Sequence, residues 1–147
     1  MKENLQKILQ ARVYEVAKET PLEKANTLSK RLNNNIFLKR EDLQDVFSFK
    51  IRGAFNKMRN LSRDKLKKGV ITSSAGNHAQ GVALSAIKLK SKATILMPIT
   101  TPLVKIKAVK ELQAEVILFG ENYDESYLEA LRPVSYTHLT LPTTSTV

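Results

Sequence analysis

Three short apolar runs constrain this chain most: Val70-Ile71-Thr72, Ala93-Thr94-Ile95-Leu96-Met97 and Val116-Ile117-Leu118-Phe119. They start at residues 70, 93 and 116, so both intervals are 23 residues. Runs without polar alternation are the signature of strands buried on both faces. Helical patterns lie between them. Ala79, Val82, Ala83 and Ala86 recur at helical spacing on one face, and their small side chains permit close packing on a sheet. Pro102 opens the next helix at a favoured early position, with Leu103, Ile106, Val109 and Leu112 as its stripe. The order β-α-β-α-β requires parallel strands joined by right-handed crossovers. The expected fold is α/β, an open parallel sheet with flanking helices. The 23-residue interval reflects βα geometry and not a solenoid repeat.

Upstream, a helix is expected from about Leu22 to Leu32, then a strand at Ile36-Phe37-Leu38. Ser48 is placed to cap a helix running to about Asn60. Gly69 ends a polar helix just before Val70. Glu3 to Ala17 is expected to form one helix with Leu5, Ile8 and Leu9 apolar. Near the other end, Tyr127-Leu128-Glu129-Ala130-Leu131 is a helix in progress that Pro133 interrupts. From Thr137 to Val147 there are five threonines, one serine and one proline in eleven residues. The segment 132–147 has two readings: a disordered natural tail, or translated library adaptor that is not native to the protein.

The 147 residues suffice for one domain with a real core, and 42% are apolar. No apolar run approaches the ~20 residues of a membrane span. The first 20 residues carry no signal-peptide pattern. Cysteine is absent, which excludes disulfides, thiolate metal sites and a cysteine nucleophile; a cytoplasmic enzyme is the simple expectation. No His/Asp/Glu spacing suggests a metal. The net charge of +10 raises nucleic acid as a partner. Its distribution argues otherwise. Residues 61–110 hold ten Lys/Arg and one acid, residues 111–147 hold six acids and one Arg132, and the bases sit singly on helices without interleaved aromatics.

Two stretches carry chemistry. Ser48-Phe49-Lys50-Ile51-Arg52-Gly53-Ala54 places Lys50 in the first turn of a helix. There the positive end of the helix dipole, and burial beside Phe49, would disfavour the charged amine. A neutral amine can hold an aldehyde as a Schiff base. Ser73-Ser74-Ala75-Gly76-Asn77-His78 leaves one strand and enters a helix. Ligands in open parallel sheets sit beyond the carboxyl ends of strands. The helix start supplies backbone N–H groups, and Ala75 and Gly76 let an anion such as a substrate carboxylate approach them. Asn77 can donate to a phenolate-like oxygen. Each has a plainer alternative: a surface lysine, a tight turn needing Gly76, a capping asparagine. His78 is expected to donate a hydrogen bond or line a pocket rather than move a proton. His138 lies in the suspect tail.

At these motifs the chain resembles the fold type II pyridoxal phosphate enzymes, and among them the threonine dehydratases (threonine ammonia-lyases). The resemblance runs from about Arg12 to Leu131. It takes in Thr20-Pro21-Leu22, Leu38-Lys39-Arg40-Glu41-Asp42, the Lys50 stretch, Ser74-Ala75-Gly76-Asn77-His78-Ala79-Gln80-Gly81, Met97-Pro98 and Lys105 to Val109. The resemblance implies pyridoxal 5'-phosphate as cofactor, Lys50 as its Schiff-base lysine, Phe49 beside its ring and Asn77 on its ring hydroxyl oxygen. Ser74, Ala75, Gly76, Asn77 and His78 would hold the amino acid carboxylate. The implied reaction turns L-threonine, and also serine, into the 2-oxo acid and ammonia. For threonine the product is 2-oxobutanoate, the first step of isoleucine biosynthesis. Related serine racemases carry a serine where this chain has Ala75, which cannot move a proton.

Departures are visible. Family glycines near Lys90 and Gln113 are missing. The phosphate-binding glycine run is absent, since no two of the five glycines are adjacent. The resemblance therefore implies an N-terminal fragment: residues 1–42 begin the large cofactor domain and 43–131 form most of the small domain. Such a fragment is expected to be inactive by itself, and the complete enzyme to be a homo-oligomer. The rival expectation is a small non-catalytic ligand-binding α/β domain; within the family it is a serine dehydratase or racemase.

Overall fold

The computed structural model describes residues 2–132. The tail from Pro133 lies outside the described residues, so neither reading of it meets a structural finding. In chain order the elements are α1 (Lys2–Gln10), β1 (Leu22–Lys24), α2 (Asn26–Arg31), β2 (Phe37–Lys39), α3 (Lys50–Arg59), α4 (Arg63–Lys68), β3 (Val70–Ser73), α5 (Asn77–Leu89), β4 (Ala93–Met97), α6 (Leu103–Glu111), β5 (Glu115–Leu118) and α7 (Tyr123–Ala130). Strands β3, β4 and β5 form a parallel sheet in that order. Val70 pairs with Ala93, and Thr94 with Glu115. The three apolar runs are its strands, as expected.

Helix α5 lays Ala79, Val82, Ala83 and Ala86 into one core with Val70, Ile95 and Met97. Ala54 and Met58 of α3 and Ile106 and Val109 of α6 complete it. Ile71 and Leu96, one residue out of phase, point to the other face and meet Ala130 of α7. Strand alternation thus fills two cores from one sheet. Burying a side chain such as Met58 contributes about 1.5–3 kcal/mol. Among the described residues, no helix is long and apolar enough to cross a membrane.

Four expectations are corrected. Residues 3–17 are not one helix: α1 stops at Gln10, and Val13–Glu15 form a separate 3-10 turn. The break lets Glu15 reach Arg59 and lets Ala17 pack with Val46 and Ile51. Leu22–Lys24 is a strand, paired antiparallel with Phe37–Lys39, and the expected helix shrinks to Asn26–Arg31. Strand β5 is not buried on both faces. It lies at the sheet edge, where Leu118 and Phe119 stay partly exposed. On α6 only Ile106 and Val109 of the stripe are buried, and Leu103 is exposed.

Lys90 and Gln113, near which the resemblance implies glycines, both take left-handed backbone at φ 53° and 61°. Lys90 caps α5, and its N–H donates to the Ile87 carbonyl. A side chain in this region costs about 1–2 kcal/mol, whereas glycine adopts it freely. Lys90→Gly and Gln113→Gly should each stabilise the protein by about 1 kcal/mol once the extra freedom of the unfolded glycine is deducted. Urea titration checks this; an unchanged or lower midpoint would contradict it.

Candidate functional site

Lys50 is the first residue of α3, and Phe49, not Ser48, is the N-cap. Ser48 still contributes, since its Oγ accepts the Lys50 N–H at 3.2 Å. The cause of the offset is Phe47, whose φ is 53°. That left-handed turn sets Val46 and Ser48 inward and leaves Phe47 and Phe49 exposed. Strain at a bulky aromatic residue is uncommon and clusters at functional positions. Lys50 Nζ lies 5.2 Å from the centroid of the Phe49 ring. The lysine is exposed, so this segment does not supply the burial expected beside Phe49.

The second stretch leaves β3 as foreseen. Ser74 N–H donates to the Leu96 carbonyl, and Ser74 Oγ accepts from the Gly76 N–H at 3.3 Å. Gly76 is the N-cap of α5, with φ −125° and ψ −158°. This is extended backbone that any residue adopts, so the plainer alternative, a turn needing glycine, does not hold. A β-carbon there would meet nothing within 4 Å. The space above Gly76 is open, so an anion can approach the loop backbone there. Asn77 opens α5 with its side chain exposed; Ser74, Ala75 and His78 are partly buried. The first turn of a helix of 13 residues carries N–H groups without intrahelical acceptors and a positive dipole end. A carboxylate suits it.

Gly81 joins the two stretches. A β-carbon at Gly81 would stand 3.2 Å from the carbonyl carbon and oxygen of Lys50 and 3.3 Å from the Ile51 nitrogen. Helices α3 and α5 therefore meet backbone to side-chain-free backbone at the lysine. Asn77 is four residues from Gly81, one turn away on the same face. Asn77 thus lies one helical turn from the point where α5 meets the Lys50 backbone.

A part-buried network anchors α3. Arg52 Nε and one terminal nitrogen donate to the two carboxylate oxygens of Glu41, both at 2.9 Å. Thr20 Oγ1 donates to Glu41 at 2.6 Å, and Gln44 Nε2 at 3.3 Å. Hydrogen bonds from Arg52 foremost hold the Glu41 carboxyl down at about 2. The Arg52 guanidinium also stacks 5.1 Å from the Tyr14 ring centroid. Thr20, Glu41 and Arg52 come from three separate stretches that sequence reading could only quote. No local pattern says that a glutamate and an arginine 11 residues apart will pair.

Among the described residues, no group of three or more His, Asp or Glu could hold a metal ion. A cavity of about 780 Å³ lies at the other end of the sheet, lined by Lys68, Lys90, Ala93, Gln113 and Glu115. It faces the carbonyl end of α5, whose dipole disfavours an anion. The loop before α5 is the better carboxylate site.

The residues present fit part of a pyridoxal phosphate site: a lysine at a helix start, an aromatic ring beside it, an amide donor and open space over Gly76. The phosphate's several donors are not in this set.

The pattern of the family described as pyridoxal-phosphate dependent enzyme matches residues 13–137. Threonine dehydratase 1 biosynthetic, chloroplastic, of Solanum lycopersicum is 62% identical over 124 residues, covering 84% of this chain and 20% of the relative. The biosynthetic L-threonine dehydratase of Burkholderia multivorans is 57% identical over 131 residues, covering 87% of this chain and 26% of the relative. The solved structure of the processed form of threonine deaminase isoform 2 from Solanum lycopersicum superposes with a TM-score of 0.91 at 51% identity, covering 98% of this chain and 40% of that one. The chain thus spans about a fifth to a quarter of the length of these curated relatives. With the family pattern running from residue 13 to 137, through both the Lys50 stretch and the Ser74–His78 loop, the chain belongs to the pyridoxal-phosphate dependent enzymes.

Proposed function

We propose that the complete protein of which this chain forms part is a threonine ammonia-lyase, acting on L-threonine and also on serine. The observation that carries the reading is the close approach of Gly81 to the Lys50 backbone across the α3–α5 contact, one helical turn from Asn77, together with the names of relatives 62% and 57% identical. Residues 1–42 would belong to the large cofactor domain and 43–131 to the small domain.

Lys50 Nζ would hold the cofactor and would take the α-proton of the amino acid. Phe49 would lie beside the cofactor ring, and Asn77 would donate to its ring hydroxyl oxygen. The first turn of α5, with Ser74, Ala75, Gly76 and His78 around it, holds and orients the substrate carboxylate. When bound, pyridoxal phosphate supplies the sink for the charge left on the α-carbon. Ala75 offers no second proton carrier, which favours elimination of the β-hydroxyl over racemisation. We also propose a cytoplasmic location, on the cysteine-free composition, and a homo-oligomeric complete protein.

Incubating the complete protein with L-threonine and pyridoxal phosphate should yield 2-oxobutanoate and ammonia, and the 147-residue chain alone should yield none. Absence of product from the complete protein would sink the reading. Formation of D-serine from L-serine as the main product would favour a racemase. Within this reading, Asn77→Ala removes a hydrogen bond to a charged group, about 1.5–3 kcal/mol. Its cofactor dissociation constant should rise at least about tenfold by absorbance titration; wild-type affinity would remove Asn77 from the site.

A further inference from the structure

Resting on the function proposed above, we infer that Gly81 is a positioning residue: it sets the separation of α5 from the first turn of α3 and thereby fixes where Lys50 stands relative to the loop. The backbone does not call for glycine here, because Gly81 lies inside a regular helix. Glycine inside a helix is unfavourable relative to alanine. What disfavours alanine is the approach of Lys50. The three atoms that a β-carbon would press on, at 3.2, 3.2 and 3.3 Å, are all backbone atoms of Lys50 and Ile51. A flexible side-chain tip could swing aside alone; a backbone carbonyl in a helix start moves only with its whole turn.

The consequence is directional. Gly81 is buried, and its own carbonyl is held by Ser85 Oγ at 2.6 Å. Helix α5 is further packed into the sheet through Val82 and Ala83. The side that gives is therefore the first turn of α3, which carries Lys50. An added methyl would move that turn away from the face bearing Asn77 by a few tenths of an ångström. Misplacement of a reacting group by ~1 Å can cost ~10²-fold, so a shift of this size should cost several-fold.

The test uses the complete protein. In the apo form, capture of pyridoxal phosphate joins Lys50 Nζ to the aldehyde carbon with loss of water, and its rate is read from the absorbance rise. For Gly81→Ala, this rate and kcat should each fall roughly 3- to 10-fold, with KM for threonine within about twofold. The control is Val82→Ala, the neighbouring core residue, fully buried and outside the Lys50 contact. It should lose at least as much stability while keeping capture rate and kcat within about twofold of wild type. If the Gly81 variant instead matches Val82→Ala in capture rate and kcat, the inference is overturned. Should Gly81→Ala fail to fold, it is placed in the Lys90→Gly, Gln113→Gly background, whose changes lie at the far end of the sheet; failure to fold there too would make Gly81 a purely structural residue and overturn the inference. Inactivity of the wild-type protein on threonine would sink the proposed function alone, and the capture rate would still decide the role of Gly81.

Discussion

Lys50→Ala in the complete protein should abolish turnover of threonine, with kcat lower by at least ~10³-fold, while leaving the fold intact. The variant loses both the covalent attachment point and the group that takes the α-proton, and a positioned proton carrier alone is worth ~10²–10⁴-fold. The fold should survive because Lys50 is exposed and its side chain fills no core space. What holds the start of α3 is Ser48 Oγ on the Lys50 N–H, with Ile51 buried behind it. Both remain in the variant. Two measurements check the assignment. Circular dichroism and thermal midpoint should match wild type. Borohydride reduction of the wild-type holoprotein, followed by peptide mapping, should place the cofactor on Lys50. A cofactor trapped on any other lysine, or residual turnover above a hundredth of wild type, would refute the role.

Glu41→Ala should destabilise the protein by about 2–3 kcal/mol at neutral pH, because it strips Arg52 of a bidentate partner within a nearly closed network. The side chains of Arg52 and Glu41 are only 24% and 14% exposed, so water replaces the lost bonds poorly. The pH dependence has a defined sign. Glu41 is held at about 2, below its ordinary 4.5. A depressed carboxyl contributes stability that is fully present above the unfolded value and is lost as pH falls through the folded one. The gap between wild type and Glu41→Ala should therefore be constant above about pH 5, shrink from there downward and close near pH 2. Urea titrations at stepped pH read it directly. A neutral-pH difference under about 1 kcal/mol, or a gap that widens in acid, would show that the network does not anchor α3 as described.

Local residue order carried the parallel sheet, the small-residue face of α5 and the position of the two chemical motifs. Those features announce themselves within a dozen residues. Apolar runs of three to five residues between helical stripes admit few arrangements, and a lysine or asparagine at a helix start is visible from its neighbours. The tertiary structure decided the rest. Leu22–Lys24 becomes a strand because Phe37–Lys39 pairs with it, and three residues are too few to display a period of two. Phe49 displaces Ser48 as cap because Phe47 turns left-handed. Strand β5 is half-exposed because it lies at the edge, a fact about sheet order and not about its own apolar residues. Thr20, Glu41 and Arg52 were legible only as separate fragments until folding closed them into one network. Gly81 is the clearest case: its chain neighbours describe an ordinary helix, and the reason for its missing β-carbon is the Lys50 backbone, 31 residues away, that only the packing of α3 on α5 brings within 3.2 Å of a β-carbon there.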